Sequence, residues 1–259
     1  MKSPLLLAFL ASLAVLVVPR TVAGRGADVW LANDLATEDA LARTVIEGVT
    51  AQRGDIAYRT GELRFDGQAT VAIHQMALLG LGQIVLAHPE KKDAYLPAMR
   101  LAARHLATPA TLAYASKVYG HSGLERMGPG EGHAYLGYIN LGLSMLRRID
   151  PHADIAALND RLTDALARNI DASPNGLIET YPGETWPPDV AAVIGSIGLH
   201  AQATGTDRRA LLERWAKRFE RCTVHVPTGL LVQRLDPGAC DPADARHSPA
   251  APDMVGCVA

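Results

Sequence analysis

The chain has 259 residues, a formal net charge of -2 and a pI near 6.5. It therefore lacks the basic surface expected of a nucleic-acid-binding protein, and nucleic acid is not an expected partner. Hydrophobic residues make up 48% of the sequence, whereas only 3 phenylalanines are present. This composition favours closely packed helices over a β-sandwich, and the length allows one large domain or two small ones.

The N-terminus predicts an export signal. Lys2 supplies a positive charge, an apolar run of signal-peptide length extends from Leu5 to Val18, and small residues follow at Thr21–Gly24. We therefore expect residues 1–24 to be a cleaved signal peptide and the mature protein to be periplasmic or extracellular, without stable membrane insertion. Because the run is short for a membrane-spanning helix, an uncleaved anchor is the less favoured alternative.

Helical periodicity dominates the rest of the chain. Apolar residues at helical spacing predict seven helices: Thr37–Gln52, Gly67–Ala87, Lys91–Leu106, Glu131–Ile149, Asp154–Ile170, Asp189–Ala203 and Asp207–Arg221. After the first, they alternate in character. Helices that are apolar nearly all round are expected inside, and amphipathic helices with Lys and Arg on one face are expected outside.

A short repeat follows two of these helix pairs. Asn175-Gly176-Leu177-Ile178 is echoed by Thr228-Gly229-Leu230-Leu231. Each glycine is predicted to make a tight turn into a short extended segment. Alternating inner and outer helices at this period predict an all-α fold, an α/α toroid, with a stacked superhelix as the runner-up.

The predicted toroid domain covers residues 25–235 and is expected to be incomplete. The chain offers about four helical hairpins, fewer than a six-hairpin barrel, and residues 236–259 form an irregular tail rich in Pro, Ala and Asp. The alternatives are an open partial ring, a ring completed by partner subunits in a homo-oligomer, or a truncated or frame-shifted product. We favour the last interpretation.

Three cysteines occur late in the chain, at Cys222, Cys240 and Cys257. The odd count leaves one unpaired if the other two join, and we favour three unpaired cysteines. No Cys-x-x-Cys pair or Cys/His ligand set is present, so no metal is expected.

The segment Leu177–Asp189 is the richest in chemistry. It links two predicted helices and carries three carboxylates, a phenol and an indole: Glu179, Glu184, Asp189, Tyr181 and Trp186. Pro187 and Pro188 suit the first turn of a helix, so Asp189 is expected in that turn. Acidic and aromatic residues at the mouth of a helix favour proton-transfer chemistry. The alternative for Asp189 is a simple interaction with the helix dipole.

Several histidines are further candidates. His133 and Asn140 share a helix face, which favours a polar-lined cavity, although His133 could equally be a core histidine bonded to a backbone carbonyl. His74 lies in the middle of an apolar helix, and we expect it to be structural. Tyr119 and His121 lie in the loop before His133, where ordinary surface exposure is the alternative to substrate binding.

Several short motifs together resemble the linalool dehydratase/isomerase-like family, over roughly Gly67 to Leu235. They are Ala87-His88-Pro89, Tyr119-Gly120, Gly132-His133-x-x-Leu136-x-Tyr138, Gly176-Leu177-Ile178 and Thr204-Gly205-Thr206-Asp207. The resemblance implies an (α/α)6 barrel and cofactor-free acid–base chemistry on small terpene alcohols, namely water loss, water addition and allylic isomerisation. It also places His133 on a family active-site histidine.

The chain departs from the family at important positions. Family cysteines correspond to Glu179 and, within a residue, to Asp189, and the family's aromatic-rich N-terminal region is hardly visible before Gly67. A carboxylate can still protonate a hydroxyl or remove an allylic proton if burial raises its pKa. The residues therefore fit a lyase of the same general kind better than the same enzyme.

The sequence thus predicts an exported lyase or isomerase without metal or cofactor, acting on a small hydroxylated molecule. In this hypothesis His133 positions or protonates a hydroxyl group and exchanges protons with three carboxylates, Glu179, Glu184 and Asp189. The substrate-binding candidates are Tyr181, Trp186, His121, Tyr119 and Asn140.

Two alternatives remain. Carboxylates beside Trp and Tyr are equally typical of a carbohydrate-active toroid, such as a glycosidase, a uronate lyase or an epimerase. The shortfall in hairpins also fits a non-catalytic or degenerate scaffold.

Overall fold

The computed structural model describes residues 4–24, 26–52, 60–61, 66, 68–108, 134–181, 183–236 and 238–241. The chain divides into two compact units, Met1–Val45 and Ile46–Ala259. Its helices are α1 (Pro4–Ala23), α2 (Ala27–Leu31), α3 (Leu35–Ala51), α4 (Gln68–Ala87), α5 (Lys92–Leu106), α6 (Tyr135–Ile149), α7 (Ala156–Ala172), α8 (Pro187–Thr204) and α9 (Arg209–Thr223). A short 3₁₀ turn spans Pro89–Lys91, and β1 (Val224–His225) pairs with β2 (Leu230–Leu231).

The first unit contains α1, α2 and the start of α3. α1 is apolar along its length and leaves Val15 and Leu16 72% and 73% exposed. α3 begins at Leu35, two residues before the predicted start. The Asp34 carboxylate accepts a hydrogen bond from the Thr37 amide at 2.9 Å, so Asp34 supplies an N-terminal cap.

The second unit is built from two layers of helices. α4, α6 and α8 lie side by side with α6 in the middle, in contact with both neighbours. α5 packs on α4 and α6, α7 packs on α6 and α8, and α9 packs on α8. The prediction of an all-α fold is confirmed, and the inner and outer helices alternate along the chain as expected. Closure into a toroid stays a prediction.

The inner helices approach one another closely. A Cβ atom added to Gly137 of α6 would lie 2.8 Å from the Cα of Val193 in α8, so only glycine fits there. The hydrophobic core fills the space between the layers, and its largest fully buried side chains include Leu78, Met99 and Leu143. The helices that the sequence shows as apolar all round are therefore the ones buried on several sides.

The helix starts and turns largely follow the sequence signals. α8 begins at Pro187, with Trp186 as its N-cap, so the prediction that the two prolines occupy its first turn is confirmed. Gly176 and Gly229 both adopt a left-handed conformation, with φ of 73° and 68°. Gly229 leads directly into β2 as expected, whereas the residues after Gly176 form no strand.

The polar face predicted on α6 corresponds to an internal hydrogen-bond network. Asn140 donates to Thr163 of α7 and Ser196 of α8, each at 3.0 Å, and accepts from Asn159 at 2.7 Å. Asn159 also donates to Ser144 at 3.0 Å. All five side chains are fully buried. The expectation of a polar-lined cavity beside Asn140 is therefore corrected, because these groups bond mainly to one another between three helices.

The expectation of unpaired cysteines is wrong. Cys222 at the end of α9 forms a disulfide with Cys240, which lies in the segment predicted as an irregular tail. The Asn175 side chain also holds this segment, by donating to the Ala239 carbonyl at 2.7 Å. β1, β2 and these contacts bring the chain back to α9. The spacing of the cysteines in the sequence does not reveal that Cys222 and Cys240 come together.

One helix among the described residues, α4, is long and apolar enough to cross a membrane. In this fold, 56% of its most apolar window is buried. A core helix meets the same criterion, and α4 contacts both α5 and α6.

Candidate functional site

A cavity of about 340 Å³ lies at one end of the inner helices in the second unit. Its wall is formed by the N-terminal half of α4, the start of α6, the segment after Ile178 and the start of α8. The lining side chains are Gln68, Val71, Ala72, Gln75, Met76, Tyr135, Tyr138, Thr180, Tyr181, Trp186 and Asp189. Most of this surface is apolar, and a smaller part is formed by the polar ends of the lining side chains. Both features are typical of small-molecule sites.

Asp189 is the acidic residue of this wall. It lies in the first turn of α8 and accepts hydrogen bonds from the hydroxyls of Tyr138 and Thr180. Burial raises the pKa of the Asp189 carboxyl, and the two hydrogen bonds oppose part of that rise. Asp189 therefore holds a proton to a higher pH than an exposed aspartate does.

Tyr138 stays neutral beside this carboxyl. Burial raises the pKa of its phenol, and the negative charge of Asp189 raises it further. Tyr138 is therefore a fixed hydrogen-bond donor to Asp189, and it is not a base at neutral pH.

Two aromatic rings form the side of the cavity next to Asp189. Tyr181 and Trp186 meet edge to face, with ring centroids 6.3 Å apart. Gln68 of α4 donates a hydrogen bond to the Tyr181 hydroxyl. The edge-to-face contact and the Gln68 bond hold these rings in fixed positions on the wall.

Glu184 supports the cavity from outside its wall. Its carboxylate accepts a hydrogen bond from the Trp186 indole at 2.9 Å and lies 3.4 Å from the Arg234 guanidinium. One carboxylate oxygen therefore bonds to the Trp186 indole, and the other forms an ion pair with Arg234. Glu184 was a catalytic candidate, but its position fits the orientation of Trp186 better.

Glu179 also lies outside the cavity wall. Its side chain is exposed and accepts a hydrogen bond from the Gly183 amide at 2.9 Å, which closes the turn before Glu184. Its backbone carbonyl accepts from the Ala134 amide at 2.9 Å. This bond ties the start of α6 to the segment between α7 and α8. Of the three carboxylates predicted from the sequence, the structure brings Asp189 to the cavity.

Three predicted residues, His133, His121 and Tyr119, lie outside the described residues. Their roles stay predictions. Asn140 is described and belongs to the internal network between α6, α7 and α8, away from the cavity wall.

The contribution of α4 to the cavity was not predicted from the sequence. Gln68 and Gln75 are seven residues apart, which is about two helical turns, so they share one face of the helix. Two amide side chains at this spacing, in a helix that is otherwise mainly apolar, could have indicated a polar site on that face. The contribution of Tyr138, by contrast, depends on its distance from Asp189, which is 51 positions away in sequence.

In the described part of the chain, no group of three or more His, Cys, Asp or Glu side chains is placed to hold a metal ion. The chemistry that the described groups can supply is proton transfer. Asp189 can donate and accept a proton, Tyr138 and Thr180 stabilise its charged form, and the aromatic rings face the cavity.

No protein-family model matches the chain, and neither does any curated protein. Membership of the linalool dehydratase/isomerase-like family therefore stays a prediction from the short motifs.

Proposed function

We propose that the protein is an acid–base lyase or isomerase acting on a small, hydroxylated, mainly apolar molecule. The observation that carries the proposal is the partly buried Asp189 carboxyl, with its raised pKa, on the wall of a mainly apolar cavity. A carboxyl that keeps its proton closer to neutral pH is the group needed to turn a hydroxyl into a leaving group.

The proposed reaction is the loss of water from an alcohol. Protonated Asp189 gives its proton to the substrate hydroxyl, the carbon–oxygen bond breaks, and water leaves. The Asp189 carboxylate then removes a proton from the carbon next to the cation, a C=C bond forms, and the acid is regenerated. Tyr181 and Trp186 present rings that stabilise the cation, and Tyr138 stabilises the carboxylate between the two steps.

The cavity also limits the substrate class. At about 340 Å³ it is at the small end of ligand sites, and no Lys or Arg contributes to its described wall. An uncharged molecule is therefore favoured over a phosphate or a carboxylate, since an anion would face Asp189 without a counter-charge. Allylic tertiary alcohols fit best because they form the most stable cations.

The test compares two Asp→Asn substitutions, each in the first turn of a helix. Asp189→Asn removes the proposed acid, and Asp93→Asn makes the same change in the first turn of α5, where Asp93 is exposed. With a ten-carbon tertiary allylic alcohol as substrate, gas chromatography of the hydrocarbon product measures turnover. Asp189→Asn is expected to lower kcat by roughly 10²- to 10⁴-fold, while Asp93→Asn keeps the wild-type rate. Wild-type protein that turns over no alcohol of a panel, or an Asp189→Asn variant with full activity, would refute the proposal.

The carbohydrate-active alternative is less well supported. Glycoside hydrolysis uses two carboxyl groups across one bond. Among the described cavity residues Asp189 is the carboxyl, while Glu184 pairs with Trp186 and Arg234 and Glu179 is exposed. Turnover of oligosaccharides in the same assay would reverse this preference.

We also propose that the protein is exported. Two features support this: the apolar N-terminal helix α1 and the disulfide between Cys222 and Cys240, since disulfides persist in oxidising compartments. Mass spectrometry of the protein from a periplasmic fraction should give a chain that begins near Gly24 or Arg25. An intact N-terminus in the cytoplasmic fraction would contradict the proposal.

A further inference from the structure

We propose that Gln75 binds the substrate oxygen and makes the cavity selective for an uncharged alcohol over a hydrocarbon of the same skeleton. This inference rests on the proposed function, because it names the group that holds the substrate in the same site. Gln75 is on α4 and lines the cavity wall.

The Gln75 side chain is mostly buried, and it lies on the cavity wall. Gln75 is 6% exposed to solvent. Within the part of the chain that the structure describes, its side-chain amide has no hydrogen-bond partner. Its amide atoms stay accessible at the cavity, where a ligand or a water molecule can bond to them.

Three other polar side chains on this wall already have hydrogen-bond partners. Gln68 donates to Tyr181, and Tyr138 and Thr180 donate to Asp189. Gln75 therefore adds one amide group, with donors and an acceptor, to a wall that is otherwise mainly apolar. A hydroxyl group is a donor and an acceptor at once, so it can satisfy both ends of this amide.

The packing of α4 on α6 fixes the position of Gln75. A Cβ atom added to Gly142 of α6 would lie 3.4 Å from the Gln75 Cα, so the two helices are in close contact at this point. The Gln75 backbone is thus held directly on the inner row of helices. A side chain on so rigid a helix can orient a ligand with little loss of conformational entropy.

Selectivity follows from leaving this amide unpaired. An alcohol that displaces water from Gln75 can replace the lost hydrogen bonds, whereas a hydrocarbon that fills the same space leaves the amide without a partner. The site should therefore favour the alcohol over the hydrocarbon, which would also help the product of water loss to leave.

The experiment measures binding by titration calorimetry in the full chain carrying Asp189→Asn, so that turnover does not consume the ligand. The probes are a ten-carbon tertiary allylic alcohol and the hydrocarbon of the same skeleton. Gln75→Met keeps the shape of the side chain and removes the amide. Gln83→Met makes the same change two turns later on the exposed face of α4.

Gln75→Met is expected to weaken alcohol binding by roughly 2- to 10-fold and to leave hydrocarbon binding unchanged or tighter. Its Tm should stay close to that of the parent, because the Gln75 amide bonds to no other described residue; a merely structural role would lower the Tm and leave selectivity unchanged. Gln83→Met should change neither affinity. Equal losses for both probes, unchanged alcohol affinity, or no binding of the alcohol would overturn the inference.

The failure of this inference differs from failure of the proposed function. Alcohol-selective binding that depends on Gln75, in a wild-type protein without turnover, would refute the reaction and leave the binding role standing. Turnover that depends on Asp189, with selectivity that does not depend on Gln75, would refute the binding role alone.

Discussion

At the scale of single residues, Asp189 combines two opposing influences on its pKa. Burial raises it, whereas the hydrogen bonds from Tyr138 and Thr180 lower it. The balance leaves a carboxyl that is harder to ionise than an exposed aspartate but has partners ready for its charged form. Both states are therefore accessible, as a group that donates and then accepts a proton requires.

His74 shows the purely structural effect of burial. It is fully buried in α4 and stacks on His105 of α5, with ring centroids 4.7 Å apart. Burial, with a smaller effect of His105, lowers the pKa of His74 to about 4. The neutral ring is thus the native form, in agreement with the structural role expected from the sequence.

Acid should destabilise the protein through His74. The unfolded chain binds this proton near pH 6.5 and the folded chain only near pH 4, so stability is complete above pH 6.5 and falls as the pH drops to 4. The loss attributable to His74 is about 3 kcal/mol, from 1.36 kcal/mol per pKa unit. Urea unfolding at a series of pH values should show a smaller loss in His74→Phe than in the wild type. His152→Gln, at an exposed position, should keep the wild-type loss.

If His74→Phe and the wild type lose equal stability over this pH range, the neutral form of His74 does not determine acid sensitivity.

At the scale of elements, α6 organises the second unit. It contacts α4 and α8 on either side and α5 and α7 in the outer layer. Gly137 brings it against α8, and the network around Asn140 joins it to α7 and α8. The Asp189–Tyr138 pair depends on this packing, because each residue comes from a different helix.

Two Gly→Ala substitutions test the close contact between α6 and α8. At Gly137 the new methyl group would meet the Val193 backbone at 2.8 Å, which cannot move as a flexible side chain can. Gly137→Ala should therefore lower the free energy of unfolding by about 1–3 kcal/mol. Gly80→Ala, inside α4, meets nothing within 4 Å and should raise it by about 0.5–1 kcal/mol, because alanine favours helix.

Denaturant unfolding of both variants would measure these opposite effects. A Gly137→Ala variant as stable as Gly80→Ala would show that α6 and α8 are not tightly packed.

At the scale of the whole molecule, the end of the described chain is tied back to the helices. β1 and β2 reverse the chain after α9, the Thr185 and Leu235 backbones exchange hydrogen bonds, and Cys240 joins Cys222. The Thr185–Leu235 bonds lie next to Trp186, so the returning chain supports the segment that carries the cavity's aromatic side.

Removal of the disulfide should destabilise the fold without altering the cavity residues. The two cysteines are 18 residues apart, and closing a loop of this length contributes about 3 kcal/mol in the chain-entropy account. The double variant Cys222→Ala/Cys240→Ala should therefore unfold at lower urea than the oxidised wild type. A reducing agent should abolish this difference. Equal stability of the two proteins under oxidising conditions would contradict the pairing.

The sequence by itself determined the helices, their alternation and the placement of Asp189 in the first turn of α8. These features depend on local signals: apolar periodicity, prolines at helix starts and glycines in turns. A local signal acts within a few residues of itself, so it can be read without knowing what lies across the molecule.

Only the tertiary structure decided which of these residues meet. Asp189 accepts a hydrogen bond from Tyr138, Gln75 lines the cavity, Glu184 bonds to Trp186 and pairs with Arg234, and Cys222 forms a disulfide with Cys240. Each of these contacts depends on how helices pack, and packing joins residues whose separation in sequence carries no record of their distance. The pKa of a carboxyl depends on the same packing, because burial and hydrogen-bond partners set it.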